Sequence, residues 1–427
     1  MSRHLIKNYR DLASTKLRRD ALGVLEAGLR AIDTRQAIRR EVQLNRTVLT
    51  VGSHGWDLAE FKNVYVIGIG KAAFDACAAL EGILGSRIVG GVVLDVKAGP
   101  LKRMKSVAGS HPFPSLTNMQ ATGEIIALLK HLSSRDLLIV VVSGGGSALL
   151  CWPYQLKCDD LTMITQLMMS RGATIREINT VRKHLSEIQG GQFARLAHPA
   201  TVLGLIFSDV PGDDLDMVAS GPTVLDTTTV EDAARILSRY DVLKTCRMPD
   251  CELKETPKDP VFFKNVTNIL LVNNQAALLA MEGEALKRGY GARMYSNNLV
   301  GEARDVGKIL SGLPRKNEMV LAAGETTVTL RGKGKGGRNQ ELALGALASL
   351  DADGLVLSCA SDGIDNTSVA GAIADARTRE AAKRLRMDPE RYLRENDSFS
   401  FFRKTKDHLV TGVTGANVSD LMIAARV

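Results

Sequence analysis

The chain has 427 residues, more than one ordinary core of about 100 to 200 residues holds, so two domains are expected. Hydrophobic residues make up 45% and charged residues 24%, which excludes a largely disordered chain, and the longest apolar run, 137–142, falls far short of the roughly 20 residues of a membrane span. Lysine and arginine exceed aspartate and glutamate by 55 − 47 = 8, which favours anionic ligands. Only 4% of residues are aromatic and no basic run alternates with aromatics, so a small carboxylate or phosphate is the expected ligand, and a nucleic acid or a membrane is not.

The amino-terminal segment is rich in Arg and Lys, but Asp11, Asp20 and Glu26 interrupt it, and Leu22, Leu25, Leu29 and Ile32 follow at helical spacing. That pattern predicts a first helix of the mature fold rather than a transit peptide. Apolar runs at 64–67, 92–96, 137–142, 202–207, 269–272, 319–322 and 355–358 then alternate with helical stretches, which predicts βα units in sheets flanked by helices. Several runs are apolar at nearly every position, as in strands covered on both faces. The pattern lapses between Leu243 and Asp259 into a polar, proline-bearing segment. The junction is placed there, giving a Rossmann-like α/β domain over 1–250 and a second α/β domain over 251–427. The six cysteines, Cys77, Cys151, Cys158, Cys246, Cys251 and Cys359, show no C-x-x-C pair, so they read as reduced thiols of a cytoplasmic protein.

One device recurs: a strand runs into a glycine-rich loop and then a helix, and ligands of open α/β sheets sit at the carboxyl ends of strands. The first case is Gly68-Ile-Gly-Lys-Ala-Ala73. The free amides and dipole of the following helix suit an anion. The glycine spacing fits the dinucleotide fingerprint, with Asp95 near the distance of a ribose-binding acid. It is no Walker A loop, because Tyr65 stands where the leading Gly belongs and Ala72 where Ser or Thr would touch magnesium. Lys71 opposes the dipole at a helix start, so it reads either as a solvated turn residue or as the partner of a bound anion.

The second loop, Ser143-Gly144-Gly145-Gly146-Ser147, frees the backbone to turn its amides inward as a cradle, with two hydroxyls beside them. In 178–191, Ile178, Val181, Leu185 and Ile188 form a core stripe ended by two glycines; Arg182 and Lys183 flank it within reach of an anion, and His184 reads as a core or solvated histidine. After the run 202–207 come Asp209, Asp213, Asp214 and Asp216, carboxylates suited to magnesium or to helix capping. The second half offers Glu325 and then Arg331-Gly-Lys-Gly-Lys-Gly-Gly-Arg338-Asn339, a flexible basic loop leading into a helix, where the fork of Arg338 suits a phosphate or carboxylate. Asp362 and Asp365 again follow a strand, and the polar, glycine-bearing turn 411–420 closes the set.

Taken in order, these segments resemble the glycerate 2-kinase family, whose carboxy-terminal half is the MOFRL domain. The matching residues are Gly-Ile-Gly-Lys-Ala-Ala at 68–73, Ser-His-Pro-Phe-Pro at 110–114, Ser-Gly-Gly-Gly-Ser-Ala-Leu at 143–149 and Ile-Asn-Thr-Val-Arg-Lys-His-Leu-Ser at 178–186. Ser-Asp-Val-Pro-Gly-Asp at 208–213, Gly-Gly-Arg-Asn-Gln-Glu at 336–341 and Ser-Asp-Gly-Ile-Asp at 361–365 follow. The resemblance implies two α/β domains, each with a largely parallel or mixed sheet flanked by helices and the active site in the interdomain cleft. It implies transfer of the γ-phosphoryl group of ATP to the C2 hydroxyl of D-glycerate, with Mg2+, and active-site roles for Lys71 and Arg338. Ser115 stands where an acid is common in the family, and Asn366 where Gly is usual; Asn tolerates positive φ better than most residues.

Loop chemistry supplies the other expected roles. Lys71 and Arg338, one from each half, are expected to meet across the cleft and neutralise the phosphates and the glycerate carboxylate, with Asp209 orienting the hydroxyl. Ser143, Gly144, Gly145, Gly146, Ser147, Gly336, Gly337 and Asn339 are the expected phosphate cradles, and Asp213, Glu325 and Asp362 the expected metal ligands. A homodimer is compatible with all of this. Two alternatives compete: an NAD(P)-dependent hydroxypyruvate reductase, from the glycine fingerprint and Asp95, and a nucleic-acid-binding protein, from net charge alone.

Overall fold

The computed structural model describes residues 4–210, 212–248 and 251–427 in two units: Ala37–Leu271, and Met1–Gln36 together with Val272–Val427. The unit Ala37–Leu271 begins with a small antiparallel sheet of β1 (Val42–Asn45), β2 (Val48–Val51) and β3 (His54–Asp57). Its main sheet contains β4 (Asn63–Ile69), β5 (Ile88–Asp95), β6 (Lys105–Ala108), β7 (Asp136–Ser143), β8 (Thr201–Phe207) and β9 (Val266–Val272), in the order β6-β5-β4-β7-β8-β9. The pairs β4/β5, β5/β6, β4/β7 and β7/β8 are parallel. The chain therefore builds outward from β4 in one direction and from β7 in the other, and the adjacent carboxyl ends of β4 and β7 form a topological switch point, where such sheets bind ligands. Every residue of β7 is buried, which explains its unbroken apolar run. Ile67, Leu138, Val140 and Ile206 of the sheet pack with Ile125 and Leu129 of the helix Leu116–Lys130 and with Phe193. Burial of each such side chain contributes about 1.5–3 kcal/mol.

The second unit holds β10 (Gly291–Leu299), β11 (Glu318–Gly324), β12 (Gly354–Ala360), β13 (Gly371–Asp375), β14 (His408–Leu409) and β15 (Asp420–Arg426), ordered β10-β11-β15-β12-β13-β14. Among the described strand pairs of this sheet only β10/β11 is parallel, and β15 runs antiparallel between β11 and β12. Val320, Ala322, Val356, Met422 and Ala424 pack against the helices Ala303–Ser311 and Arg338–Ala346 and against Phe401 and Phe402. The amino-terminal helix Lys16–Ala31 packs along Asn274–Lys287 in this same unit. Arg18, 3% exposed, donates to Asp375 at 2.6 and 2.7 Å and to Asp407 at 2.8 Å, so the helix is held by buried charge as well as by Leu22, Leu25 and Leu29.

The units part differently from the expected boundary, which falls on Asp250, outside the described residues. The polar segment 243–259 is a strap fastened within Ala37–Leu271: the Lys254 N–H donates to the His184 carbonyl at 2.8 Å and the Thr256 hydroxyl to Asp226 at 3.1 Å. The run 269–272 lies in β9, at the edge of the first sheet rather than in the second. Proline and charge suit a pinned surface strap as well as a linker, so composition alone does not separate the two.

Candidate functional site

At the switch point two loops are stitched together. The Lys71 N–H donates to the Gly144 carbonyl at 2.9 Å, and the Ala72 N–H to the Ser143 hydroxyl at 3.1 Å; that hydroxyl in turn donates to the Ile69 carbonyl at 3.2 Å. Ser143 is thus a buried staple between β4 and β7 and not the anion donor expected of it. The glycines beyond it are required by what surrounds them. A Cβ on Gly144 would collide with the Asp209 carboxylate. Gly145 has φ +79°, and a Cβ there would lie 3.0 Å from Lys71 Cε and 3.1 Å from His111 Cδ2. Lys71, His111 and Asp209 therefore ring one glycine turn. The amides of Gly146 and Ser147 open the short helix Gly146–Leu149 and have no partner within it.

His111 lies in the Ser-His-Pro-Phe-Pro segment 110–114, whose sequence gives it no role of its own. Its loop is held by Asn118, which accepts from the Ser110 N–H at 2.8 Å and donates to the carbonyls of Ser110 at 3.0 Å and Ala148 at 3.1 Å. The inner edge of the imidazole is desolvated against the glycine turn, and the Lys71 ammonium is close by. Together they push its pKa down to about 4, so the ring is neutral at physiological pH.

Other expected residues take structural parts. Asp95, fully buried, accepts from the N–H groups of Phe74 at 2.8 Å and Val96 at 2.6 Å. It caps the helix Ala73–Leu84 from β5 and is not presented to a ribose, which removes one of the two features behind the dinucleotide alternative. Lys183, 1% exposed, pairs with Asp216 and with Asp226 at 3.2 Å, so it does not reach a ligand. His184 is buried, its ring bonded to the Lys254 carbonyl at 2.9 Å and the Thr228 hydroxyl at 3.2 Å. The helix carrying them, Ile175–His184, ends before the two glycines. Asp213 has φ +55° on the turn after β8, part of the 208–213 motif whose Pro211 lies outside the described residues.

In the other unit a cavity of about 1040 Å³ is lined by Glu325, Lys335, Gly336, Gly337, Arg338, Asp362 and Asp420, among others. Arg338 opens the helix Arg338–Ala346, and its fork is already engaged: it donates to Asp420 at 2.5 and 3.1 Å and to Glu325 at 3.1 Å. Asp420, absent from the expected set, is buried, and that burial, opposed by Arg338, pushes its carboxyl up to about 7. The basic loop before Arg338 is pinned rather than flexible, for the N–H groups of Arg331 and Gly332 donate to the Asn396 side chain at 2.7 and 2.9 Å. Asn339 is buried and bonded to Ser358 at 2.5 Å, so it braces the helix instead of cradling phosphate. Asp365 accepts the N–H groups of Asn339 at 3.1 Å and Gln340 at 2.9 Å, which makes it the helix anchor. Asn366 has φ +53° and donates to the Gly336 carbonyl at 3.0 Å; the residue that departs from the family pattern thus adopts the left-handed geometry a glycine would.

Among the described residues no three His, Cys, Asp or Glu side chains cluster as a metal cage. Mg2+ takes one or two protein carboxylates and fills its remaining positions with water and phosphate oxygens, and the carboxylates of Glu325 and Asp362, which line the same cavity, fit that habit.

Two family models match the chain: the domain of unknown function DUF4147 over residues 20–249 and the MOFRL family over 318–420. A D-glycerate 2-kinase of Thermotoga maritima is 36% identical over 84% of this chain and 90% of its own. A protein of Agrobacterium vitis named putative hydroxypyruvate reductase is also 36% identical, over 83% of this chain and 85% of its own. The crystal structure of a Thermotoga maritima glycerate kinase, 32% identical, superposes with a TM-score of 0.84 and covers 96% of this chain and 99% of that one.

Proposed function

The chain belongs to the glycerate 2-kinase family, and from that premise we propose that it transfers the γ-phosphoryl group of ATP to the C2 hydroxyl of D-glycerate. The observation that carries this is the convergence of a cation, Lys71, and a carboxylate, Asp209, on the glycine turn at the switch point. Phosphoryl transfer asks a protein chiefly to position the reactants and to neutralise charge on the migrating group. Lys71 and the amides of Gly145, Gly146 and Ser147 supply positive potential there. Asp209 accepts the C2 hydroxyl proton as the new P–O bond forms and the bond to the ADP oxygen breaks. Neutral His111 leaves the Lys71 charge undiminished and keeps a second cation out of the turn. Glu325 and Asp362 would hold Mg2+, which when bound neutralises phosphate oxygens. Arg338, braced by Asp420 and Glu325, keeps a fixed orientation in the lining of the same cavity. The hydrogen bonds that occupy Asp95 argue against a reductase.

Phosphorus NMR of the products formed from ATP, Mg2+ and D-glycerate tests the proposal. The expected result is 2-phosphoglycerate with stoichiometric ADP; 3-phosphoglycerate, or no ATP consumption, overturns it.

A further inference from the structure

Arg182 lies on the helix Ile175–His184 and lines a small pocket together with Ser147, Pro112, Phe113, Pro114 and Thr165, among others. Arginine carries five N–H donors and a permanent charge, and a cation taken out of water is normally matched by a carboxylate. Arg182 has no such match among the described residues; its one hydrogen bond goes to the amide oxygen of Asn179, at 3.2 Å. Desolvation accordingly pushes its pKa down, to about 10.

The Asn179 contact is part of a chain of polar groups. Asn179 Oδ1 also accepts from the Ser220 hydroxyl at 3.0 Å, and Ser220 bonds the Ser147 hydroxyl at 2.9 Å. Ser147 is the last residue of the glycine turn that Lys71 and Asp209 border. An uncompensated guanidinium is thus tied by side chains to the anion cradle, and Arg182 and Ser147 both line a space of about 20 Å³. That space has room for little more than one water-sized group, so it excludes a triphosphate and takes only the tip of a small anion. The loop carrying Pro112, Phe113 and Pro114 forms one wall, so an anion seated there meets an apolar flank that strengthens its attraction to the fork.

We propose that Arg182, in the pocket beside Ser147, forms the subsite that grips the carboxylate of the glycerate, setting the acid end of the substrate apart from the phosphates. This presupposes glycerate as the acceptor, and the test separates the two claims. Heat-denaturation midpoints of wild type, R182Q and R182K are measured with D-glycerate alone and with ATP·Mg2+ alone, and steady-state constants for both substrates are determined. In R182Q the stabilisation by glycerate is expected to vanish and KM for glycerate to rise on the order of 10²-fold, while the shift given by ATP and its KM stay near wild type. R182K, with charge but no planar fork, is expected to fall between them. Retained glycerate binding in a folded R182Q overturns the subsite, and so does a loss confined to ATP. A wild type that neither binds nor phosphorylates glycerate overturns the acceptor assignment together with the subsite, whereas kinase activity with an unchanged glycerate KM in R182Q overturns the subsite alone.

Discussion

His111 and Lys71 share one glycine turn, and their proximity has a consequence for acid stability. The unfolded chain protonates this histidine near its ordinary value of 6.5, whereas the folded chain resists until about 4. Between those values the unfolded state binds more protons, so stability contributed by this group is present above pH 6.5 and is lost as pH falls toward 4. Denaturant midpoints at pH 7 and pH 4.5 are expected to lie closer together in H111Q than in wild type; an equal spread would show that the ring is not held neutral. Arg338 presents a second case. Its loss leaves the buried Asp420 carboxylate unmatched, so R338A is expected to lose activity and also on the order of 1–3 kcal/mol of stability, discounted for its partial exposure. In R338A/D420N the stability but not the activity should return toward wild type, as read by urea denaturation beside turnover. Lys71, Arg338 and Asp209 are marked in the sequence as charged residues beside glycine-rich or strand-end loops. Their partners were not: Asp420 lies 82 positions from Arg338, and nothing local marks it as the carboxylate that occupies the fork.

At the scale of elements, strand, glycine loop and helix form one device, and its geometry depends on backbone positions where a side chain would strike a functional group. G144A would drive a methyl group into the Asp209 carboxylate. Turnover is therefore expected to fall at least tenfold in G144A while the unfolding midpoint shifts little, since Asp209 can swing outward at small cost to the core; unchanged turnover would detach Asp209 from the chemistry. Asp365 offers the structural contrast. It caps the helix Arg338–Ala346 through backbone and side-chain donors, so D365A is expected to cost about 1–3 kcal/mol in chemical denaturation. The buried strands β4, β7, β8, β11 and β12 were legible from their apolar runs. Strand β10 was not, because its burial alternates with exposure and its polar Ser296, Asn297 and Asn298 read as loop. The glycine cluster at 144–146 pointed to an anion, but the division of labour within it, with Ser143 as a staple and Ser147 facing Ser220, depends on contacts from β4 and from residue 220 that no local pattern encodes.

For the whole molecule, the order of the chain differs from the order of its packing. Residues 4–36 complete the unit formed by 272–427, through Arg18 with Asp375 and Asp407 and through Asp20 with Arg288 and Tyr290. R18A is expected to destabilise the protein by about 3–5 kcal/mol, because two buried carboxylates lose their counter-charge; a midpoint within error of wild type would contradict that assignment. Alternating strands and helices made two α/β units legible, but a helix that returns to the far end of its own sequence leaves no mark in composition, and a boundary drawn by polarity at 243–259 followed a surface strap. The central claim concerns the turn at which β4 and β7 diverge, and the most direct test is the turnover of folded K71A and D209N with saturating ATP·Mg2+ and D-glycerate. Each is expected to lose on the order of 10³-fold in kcat with the unfolding transition preserved; wild-type turnover in K71A would contradict the claim.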